Sequence, residues 1–291
     1  MILAEHNMSL AEYTSYKIGG NARDVYFPSN ADELLEVLEH LVESKTPFFM
    51  LAGGSNVLVG DAFFDGAVII MTRMDSFTMH EDHLVCGAGL SSTRAAEIAL
   101  ESGKSGLEFL YKLPGTVGGG LAGNARFSDV NVSDVLLSVT AVHPEHGKRV
   151  FDQSTLDFAY KKNSLTLGGW YICELTLSWL DGDKVAIESR MDEIDTFRKE
   201  RHHFDHPSCG CIFKNDHARN IQVGRLIDSL ALKGTRVGGA EIADFHANFI
   251  VNTGNATARD VLDLIEKVER IVMEEKGLTL EREVKLYGNF E

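Results

Sequence analysis

Residues 114–123, PGTVGGGLAG, carry five glycines in ten positions and limit what this part of the chain can form. Glycine weakens a helix, but it lets backbone N–H groups approach an anion because no Cβ stands in the way. Residues 118–123 match G-x-G-x-x-G, yet no clear strand-to-helix hinge surrounds them and no βαβ unit follows. A Rossmann dinucleotide site is therefore disfavoured, and a glycine loop of another nucleotide-binding fold is the better prediction.

A second glycine loop, AGGSN at 52–56, follows the apolar run FFML at 48–51. Ser55 and Asn56, like Thr116 in the first loop, add side-chain donors to the accessible backbone N–H groups. Either loop taken alone is equally well explained as an ordinary turn. Two such loops, each after an apolar segment, favour a pair that clasps a pyrophosphate.

Charge and hydrophobic patterning exclude several classes of protein. The chain has 291 residues, 44% of them hydrophobic, which is enough for two domains, and its formal net charge is −15. Nucleic-acid binding requires a basic face, so we expect no nucleic-acid partner. An apolar run of about 18 residues is absent, and so is a basic start followed by an apolar segment, which predicts a soluble, cytoplasmic protein outside the membrane.

The pattern of helix and strand signals predicts an α+β fold. We predict an N-terminal domain over 1–190, with two subdomains divided near residue 70, and a second domain over 191–291. Helices are predicted at 29–44, 91–103, 186–203, 220–234 and 257–277. Strands are predicted at 48–51, 67–72, in a meander over 137–180, and at 247–252. The apolar stripe of the first helix is predicted to comprise Leu34, Leu35, Leu38, Leu41 and Val42.

The stretch PSCGCIFKN at 207–215 places Cys209 and Cys211 on either side of one glycine. Zinc would need two further Cys or His ligands, and C-x-C lacks the usual gap, although several histidines are near in sequence. No metal site is therefore predicted. A disulfide across C-x-C would close a strained ring, so redox exchange is also disfavoured. Four cysteines in so long a chain indicate reduced thiols, and buried packing is the default for each.

Six motifs in a fixed order resemble one family. They are TSYKIGG at 14–20, AGGSN at 52–56, GLEFLYKLPGTVGGG at 106–120, PSCGCIFKN at 207–215, LKGTRVGGAEIADFHANFIVN at 232–252 and LEREVKLYG at 280–288. The chain resembles the UDP-N-acetylenolpyruvoylglucosamine reductases, flavoenzymes of peptidoglycan precursor synthesis, in their shorter subtype. The resemblance implies a two-part FAD-binding unit of the vanillyl-alcohol-oxidase (PCMH) type, followed by an α+β substrate domain that closes over the flavin ring.

The reaction that the resemblance implies has two halves. NADPH reduces FAD, and the enolpyruvyl double bond of UDP-N-acetylglucosamine enolpyruvate then receives a hydride, which gives UDP-N-acetylmuramate. Addition at the terminal carbon places negative charge beside the substrate carboxylate, so the site needs cations there and a proton donor for the adjacent carbon. We expect a monomer whose partner is this UDP-sugar.

The resemblance also assigns roles to residues of this chain. Cys211 takes the slot of the family's proton-donating serine, and a thiol, with a reference pKa of about 8.5, is a better acid than an alcohol. Glu283 falls on a carboxylate that helps polarise the enolate, although the alternating pattern around it also suits a solvated strand. The positions implied to bind FAD are Gly53, Gly54, Ser55, Asn56, Pro114, Gly115, Thr116, Gly118, Gly119 and Asn124. The positions implied to bind substrate are Tyr160, Arg201, Lys214, Asn215, Arg225, His246 and Lys285.

Two departures from the family pattern affect the predicted chemistry. Lys161, the third catalytic position, stands where the family has arginine, in a segment that otherwise looks like a polar turn. Arg126 lies where the family has glycine beside the flavin, and we hypothesise that it supplies the missing guanidinium. The alternatives are a paralogue that binds FAD or a UDP-sugar with reduced or lost turnover, or another FAD-linked oxidoreductase of the same fold.

Overall fold

The computed structural model of the protein describes residues 2–290. Its strands, in chain order, are β1 (Glu5–Ser9), β2 (Asn21–Tyr26), β3 (Phe48–Leu51), β4 (Val57–Val59), β5 (Phe64–Ile70), β6 (Phe77–Met79), β7 (His83–Gly87), β8 (Lys104–Ser105), β9 (Arg126–Phe127), β10 (Val130–Asn131), β11 (Leu136–His143), β12 (Gly147–Asp152), β13 (Phe158–Ala159), β14 (Lys162–Asn163), β15 (Tyr171–Ser178), β16 (Leu180–Asp181), β17 (Ser208–Cys211), β18 (Arg236–Val237), β19 (Ala240–Ile242), β20 (Phe249–Asn252) and β21 (Lys285–Tyr287). Its α-helices are α1 (Ala31–Glu43), α2 (Ser92–Glu101), α3 (Val117–Ala122), α4 (Val132–Val135), α5 (Ser164–Leu167), α6 (Lys184–Glu200), α7 (Val223–Ser229) and α8 (Ala258–Lys276).

Two compact units divide the described chain. The first comprises residues up to 6, 24–53 and 66–200, and the second comprises 7–23, 54–65 and 201–290. The predicted domains, 1–190 and 191–291, and the split near 70 stay a prediction. The two short N-terminal segments of the second unit have no counterpart in that prediction, because they join it through contacts that are distant in sequence.

The first unit contains a five-stranded antiparallel sheet in the order β12-β11-β15-β7-β6. Helix α1 packs on β11 and β12, and α3 packs on β15. Buried side chains such as Leu38, Val139 and Leu175 form one apolar core between these layers. The predicted meander over 137–180 supplies β11, β12 and β15, so period-2 alternation identified the strands that carry this sheet.

Helix α1 begins at the residue that the sequence indicates. The side-chain oxygen of Asn30 accepts hydrogen bonds from two backbone N–H groups of the first turn, at 3.0 and 3.1 Å. The buried stripe consists of Leu34, Val37, Leu38 and Leu41. The assignment of Val42 to that stripe was wrong, because Val42 is 46% exposed.

The second unit has a four-stranded antiparallel sheet, β17-β20-β19-β18, and α8 packs on β18 and β19. As predicted, Thr257 caps α8 and Gly277, whose φ of 63° is left-handed, stops it; the structure adds a capping box between Thr257 and Asp260. The predicted helix over 220–234 was wrong in length, since α7 stops at Ser229 and Ala231 already has a φ of 54°. Among residues 2–290, no helix combines the length and apolar character that crossing a bilayer requires.

Candidate functional site

In the first unit, Gly53 of the AGGSN loop meets the other glycine loop. A Cβ built on Gly53 would lie 2.5 Å from the Cα of Gly115 and 3.2 Å from the backbone nitrogen of Thr116. No side chain fits into that space, so the neighbouring backbone requires glycine at position 53. The loops that the sequence predicts to act together are therefore adjacent.

Helix α3 forms inside the glycine-rich segment, which the sequence suggested would be poor in helix, and that expectation was wrong. The hydroxyl of Thr116 caps the helix by accepting from the Gly119 N–H group at 3.2 Å. A Cβ on Gly118 would lie 2.4 Å from the Cβ of Ala88, and the Gly118 N–H group donates to the Ala88 carbonyl at 3.0 Å. Close packing of α3 on residue 88 thus explains Gly118 without a ligand.

Asn124 and Arg126 follow α3 in a tight turn. Asn124 has a left-handed φ of 38°, and its side-chain oxygen accepts from the backbone N–H group of Ser133 at 3.2 Å. The guanidinium of Arg126 donates to the carbonyl of Ser128 at 2.8 Å and pairs with Asp129 at 2.7 Å. The guanidinium is thus held within its own turn, and a contact of Arg126 with substrate stays a hypothesis.

Tyr160 and Lys161 form the tip of the β13–β14 hairpin, in agreement with the polar turn that the pattern indicates. Lys161 has a left-handed φ of 60°, and its ammonium lies 5.8 Å from the centre of the Tyr160 ring. Asn163 is fully buried and donates to the last two carbonyls of α3, at 3.0 and 2.9 Å. A buried side chain therefore fixes this tip to the helix of the glycine loop.

In the second unit, a bulge in β17 separates the two thiols. Ser208 pairs with Val251 and Cys211 pairs with Phe249, so β17 has one residue more than its partner strand over this interval. Gly210 takes the left-handed φ of 79° that the bulge requires. In a regular strand Cys209 and Cys211 would share a face, but here Cys209 is buried and Cys211 is half-buried.

Cys209 belongs to the apolar core of the second unit. Burial raises the pKa of its thiol to about 12, the hydrogen bond with Tyr16 opposes this rise, and Cys211 and Glu283 add to it. The Tyr16 hydroxyl is itself fully buried and donates to the Ile250 carbonyl at 2.9 Å. The structure thus gives Cys209 a packing position, while Cys211 keeps access to solvent.

The segment that carries Glu283 runs beside the residues that follow β17. The Glu283 N–H group donates to the Ile212 carbonyl at 2.7 Å. The amide of Asn56 donates to the Glu283 carbonyl at 3.3 Å, and the Lys285 N–H group donates to the Asn56 carbonyl at 3.1 Å. In the second unit, Asn56 of the glycine loop therefore positions the strand of the predicted catalytic carboxylate.

Ser15, which sequence reasoning did not single out, connects two predicted site segments of the second unit. Its N–H group donates to the Gly54 carbonyl at 3.0 Å, and its hydroxyl donates to the Ser208 carbonyl at 2.6 Å. A Cβ on Gly54 would lie 2.0 Å from the Tyr13 carbonyl oxygen. The motif TSYKIGG was the available signal, and its role is to hold the AGGSN loop next to β17.

A cavity of about 370 Å³ opens in the second unit. Four residues of the predicted site line it, namely Cys211, Asn215, Arg225 and His246. Burial lowers the pKa of His246, which favours a neutral imidazole. Arg225 and Lys233 line the cavity together with Asp216 and Asp228, and Lys233, which the sequence did not single out, pairs with Asp228 at 3.1 Å.

Three other predicted cations of the second unit are not among the described residues that line this cavity. Lys214 pairs with Glu281 at 2.6 Å, and its side chain is only 11% exposed. Lys285 is exposed at the start of β21, and Arg201 is exposed just after α6. Their assignment to the substrate site stays a prediction.

Asn248 is a buried lining residue that holds the chain beyond Cys211 in place. Its side-chain oxygen accepts from the Phe213 N–H group at 3.0 Å, and its amide donates to the Phe213 carbonyl at 2.8 Å. The Asn248 carbonyl also accepts from the Ile212 N–H group at 2.9 Å. The motif at 232–252 contains this residue, but only the fold shows that its side chain bonds the backbone of Phe213.

Replacing Asn248 by alanine should lower the free energy of unfolding by about 2–3 kcal/mol, because two buried backbone groups of Phe213 lose their partner. Urea denaturation measures this change. Gln222→Ala is the matched control, since Gln222 also lines the cavity but is exposed and makes no capping hydrogen bond through its side chain. An equal effect of both variants on the free energy of unfolding would contradict a stabilising role for the Asn248 side chain.

Two family models match the chain. The FAD binding domain matches residues 22–150, and the UDP-N-acetylenolpyruvoylglucosamine reductase, C-terminal domain, matches residues 202–287. A UDP-N-acetylenolpyruvoylglucosamine reductase of Borreliella burgdorferi is 37% identical over 284 residues, which are 96% of this chain and 93% of the relative. The corresponding protein of Caldanaerobacter subterraneus is 33% identical over 282 residues, 97% of this chain and 93% of the relative.

A solved structure agrees with these matches. The crystal structure of UDP-N-acetylenolpyruvylglucosamine reductase from Thermus caldophilus superimposes with a TM-score of 0.83 at 32% identity. The match covers 99% of this chain and 100% of that chain. The predicted α+β fold, an FAD-binding unit followed by a C-terminal reductase domain, is therefore confirmed.

Proposed function

The chain belongs to the UDP-N-acetylenolpyruvoylglucosamine reductase family, and on that premise we propose that it reduces the enolpyruvyl group of UDP-N-acetylglucosamine enolpyruvate to UDP-N-acetylmuramate for peptidoglycan precursor synthesis. The protein is an FAD-containing oxidoreductase with NADPH as the reductant. The observation that carries the proposal is the position of Cys211, a half-buried thiol on a cavity that Arg225 and His246 also line.

The glycine loops fit FAD, because residue 53 approaches the backbone of residues 115 and 116 so closely that a side chain would fill the space. Bound FAD supplies hydride transfer from NADPH to the substrate double bond. Backbone N–H groups and short polar side chains of the two loops would hold its pyrophosphate and ribityl groups. The residues proposed to bind it are Gly53, Gly54, Ser55, Asn56, Pro114, Gly115, Thr116, Gly118, Gly119 and Asn124.

Cys211 is proposed to donate a proton to the substrate carbon next to the carboxylate. Glu283 is proposed to polarise the enolate, and Lys161 to orient the substrate carboxylate. Arg225, which lines the cavity, can pair with a substrate phosphate, as a diphosphate requires. The remaining residues proposed to bind substrate are Tyr160, Arg201, Lys214, Asn215, His246 and Lys285.

The test is NADPH oxidation by the purified, flavin-containing protein with and without the enolpyruvyl UDP-sugar. We expect oxidation that depends on this substrate and yields UDP-N-acetylmuramate. Bound flavin without such turnover would instead favour the paralogue that only binds FAD or a UDP-sugar. The observation that favours this second candidate is Lys161, a point charge in place of the family's bidentate guanidinium.

Lys161→Met should lower kcat/KM for the UDP-sugar by about ten- to a hundredfold, the range expected for a lost charge-assisted hydrogen bond. Lys162→Met is the matched control, because Lys162 is the adjacent, exposed residue of the same hairpin. NADPH-dependent flavin reduction should be the same in both variants. Equal steady-state kinetics of the two variants would remove Lys161 from the substrate site.

We further propose that the protein is a cytoplasmic monomer, as expected for a reductase that acts on a nucleotide-linked precursor. The acidic balance of the chain, −15, supports the prediction that it binds no nucleic acid. Light scattering at the working concentration tests the monomer, and a mass of about twice 32.1 kDa would contradict it.

A further inference from the structure

A cluster of potential metal ligands lies in the first unit, in the turn between β11 and β12. His143, Glu145 and His146 each offer a ligand atom, and these atoms all lie within 4.8 Å of one another. We propose that these three side chains form a binding site for a divalent transition metal ion of the zinc class. No part of the proposed reductase chemistry uses these residues.

The hairpin fixes the backbone of this cluster. His143 pairs with Gly147 across the turn, and the His146 N–H group donates to the His143 carbonyl at 3.1 Å. Gly147 has a left-handed φ of 70°, which closes the turn. The imidazole rings of His143 and His146 are consequently stacked, with 4.4 Å between their centres and 25° between their planes.

Trp170 lies against both histidines. Its ring centre is 5.4 Å from that of His143 and 6.2 Å from that of His146, and Phe151 supports it edge-on at 4.8 Å. A Cβ on Gly169 would lie 3.3 Å from the Nε2 atom of His143, so glycine there avoids a tight contact with this ring. The tryptophan therefore provides a fluorescent reporter next to the proposed ion.

The ligand types select the metal. Two imidazoles and one carboxylate suit Zn²⁺, Ni²⁺ and Cu²⁺, whereas Mg²⁺ and Ca²⁺ prefer sets of oxygen ligands. Ligands at about 2.1 Å from one tetrahedral ion lie about 3.4 Å apart, which the exposed side chains of Glu145 and His146 can reach by rotation. The ion would replace the hydrogen bond in which His143 Nδ1 accepts from the Glu145 N–H group at 3.1 Å.

Two cationic side chains near the turn limit the affinity of the proposed site for a metal ion. The guanidinium of Arg149 lies 5.4 Å from the centre of the Trp170 ring, and Lys148 pairs with Asp32 at 2.6 Å. Both repel a divalent ion, although solvent screens this repulsion at an exposed turn. The site has three protein ligands, which leaves coordination positions for water or for a small anion.

The experiment uses the full chain with its flavin and without an affinity tag, titrated with Ni²⁺ while tryptophan fluorescence is recorded. We expect saturable quenching of Trp170, competition by Zn²⁺ and no competition by Mg²⁺. His146→Ala and Glu145→Gln should each weaken Ni²⁺ binding by at least about tenfold, since even outer-shell changes can cost that much. His40→Ala, which removes an exposed histidine from α1, should bind Ni²⁺ like the unmodified protein.

Trp170→Phe should abolish most of the quenching while calorimetry still detects Zn²⁺ binding. Circular dichroism checks that each variant is folded. Because Glu145 and His146 are exposed, we expect their substitutions to leave the fold intact. Unchanged Ni²⁺ affinity in both His146→Ala and Glu145→Gln would overturn the proposal. These readouts do not depend on reductase activity, so failure here leaves the proposed function untouched.

Discussion

Cys211→Ala is expected to reduce turnover of the enolpyruvyl UDP-sugar by about 10²- to 10⁴-fold, the usual contribution of a positioned proton donor. NADPH should still bleach the flavin absorbance at the normal rate, because that half-reaction needs no proton from this thiol. Stopped-flow absorbance separates the two half-reactions. The variant should therefore accumulate reduced flavin in the presence of both substrates.

Two further variants make this test specific to position 211. Cys211→Ser should retain part of the activity, since a hydroxyl can donate the same proton from the same place. Cys209→Ala removes the neighbouring thiol, which is buried in the core, so it should change stability more than turnover. Equal turnover of the unmodified protein and Cys211→Ala would exclude Cys211 as the proton donor.

Gly53→Ala should largely abolish FAD retention, which is the second large effect that the structure predicts. The added Cβ would lie 2.5 Å from the Cα of Gly115, and the clashing atoms are backbone atoms of residues 115 and 116, which leave little room to relax. The two loops must then separate, and the backbone donors proposed for the pyrophosphate lose their common position. The ratio of flavin to protein absorbance after gel filtration measures the loss.

Gly120→Ala is the control for this substitution. Gly120 belongs to the same glycine-rich segment, but a Cβ there would meet only side chains at ordinary contact distances, Val132 at 3.4 Å and Ala125 at 3.9 Å. Alanine also favours the helical backbone of α3, so this variant should bind FAD and unfold at the same temperature or slightly higher. Equal flavin content in the two variants would contradict the prediction that FAD binding requires the close approach of Gly53 to Gly115.

Local patterns predicted the elements whose signals lie within a few residues. Asn30 and Thr257 cap α1 and α8 as expected, because a cap is decided by one side chain and the next turn of backbone. Helix α3 was not predicted because glycine lowers helix propensity. In the structure, glycine at position 118 is needed for the close packing of this helix against Ala88. Helix α7 ended early because the chain adopts a left-handed conformation at Ala231, which the apolar pattern does not encode.

Helix and strand patterns by themselves predicted the α+β class, and the six ordered motifs carried the resemblance to the family and the residue roles that this resemblance implies. Only the tertiary structure decided that Cys209 is packed while Cys211 reaches a cavity, since one bulge at Gly210 rotates the strand between them. It also decided that residues 7–23 and 54–65 join the second unit, as the bond from Tyr16 to the Ile250 carbonyl and the pairing of β21 with β4 show. Both outcomes depend on contacts between residues far apart in sequence, and local periodicity carries no information about such contacts.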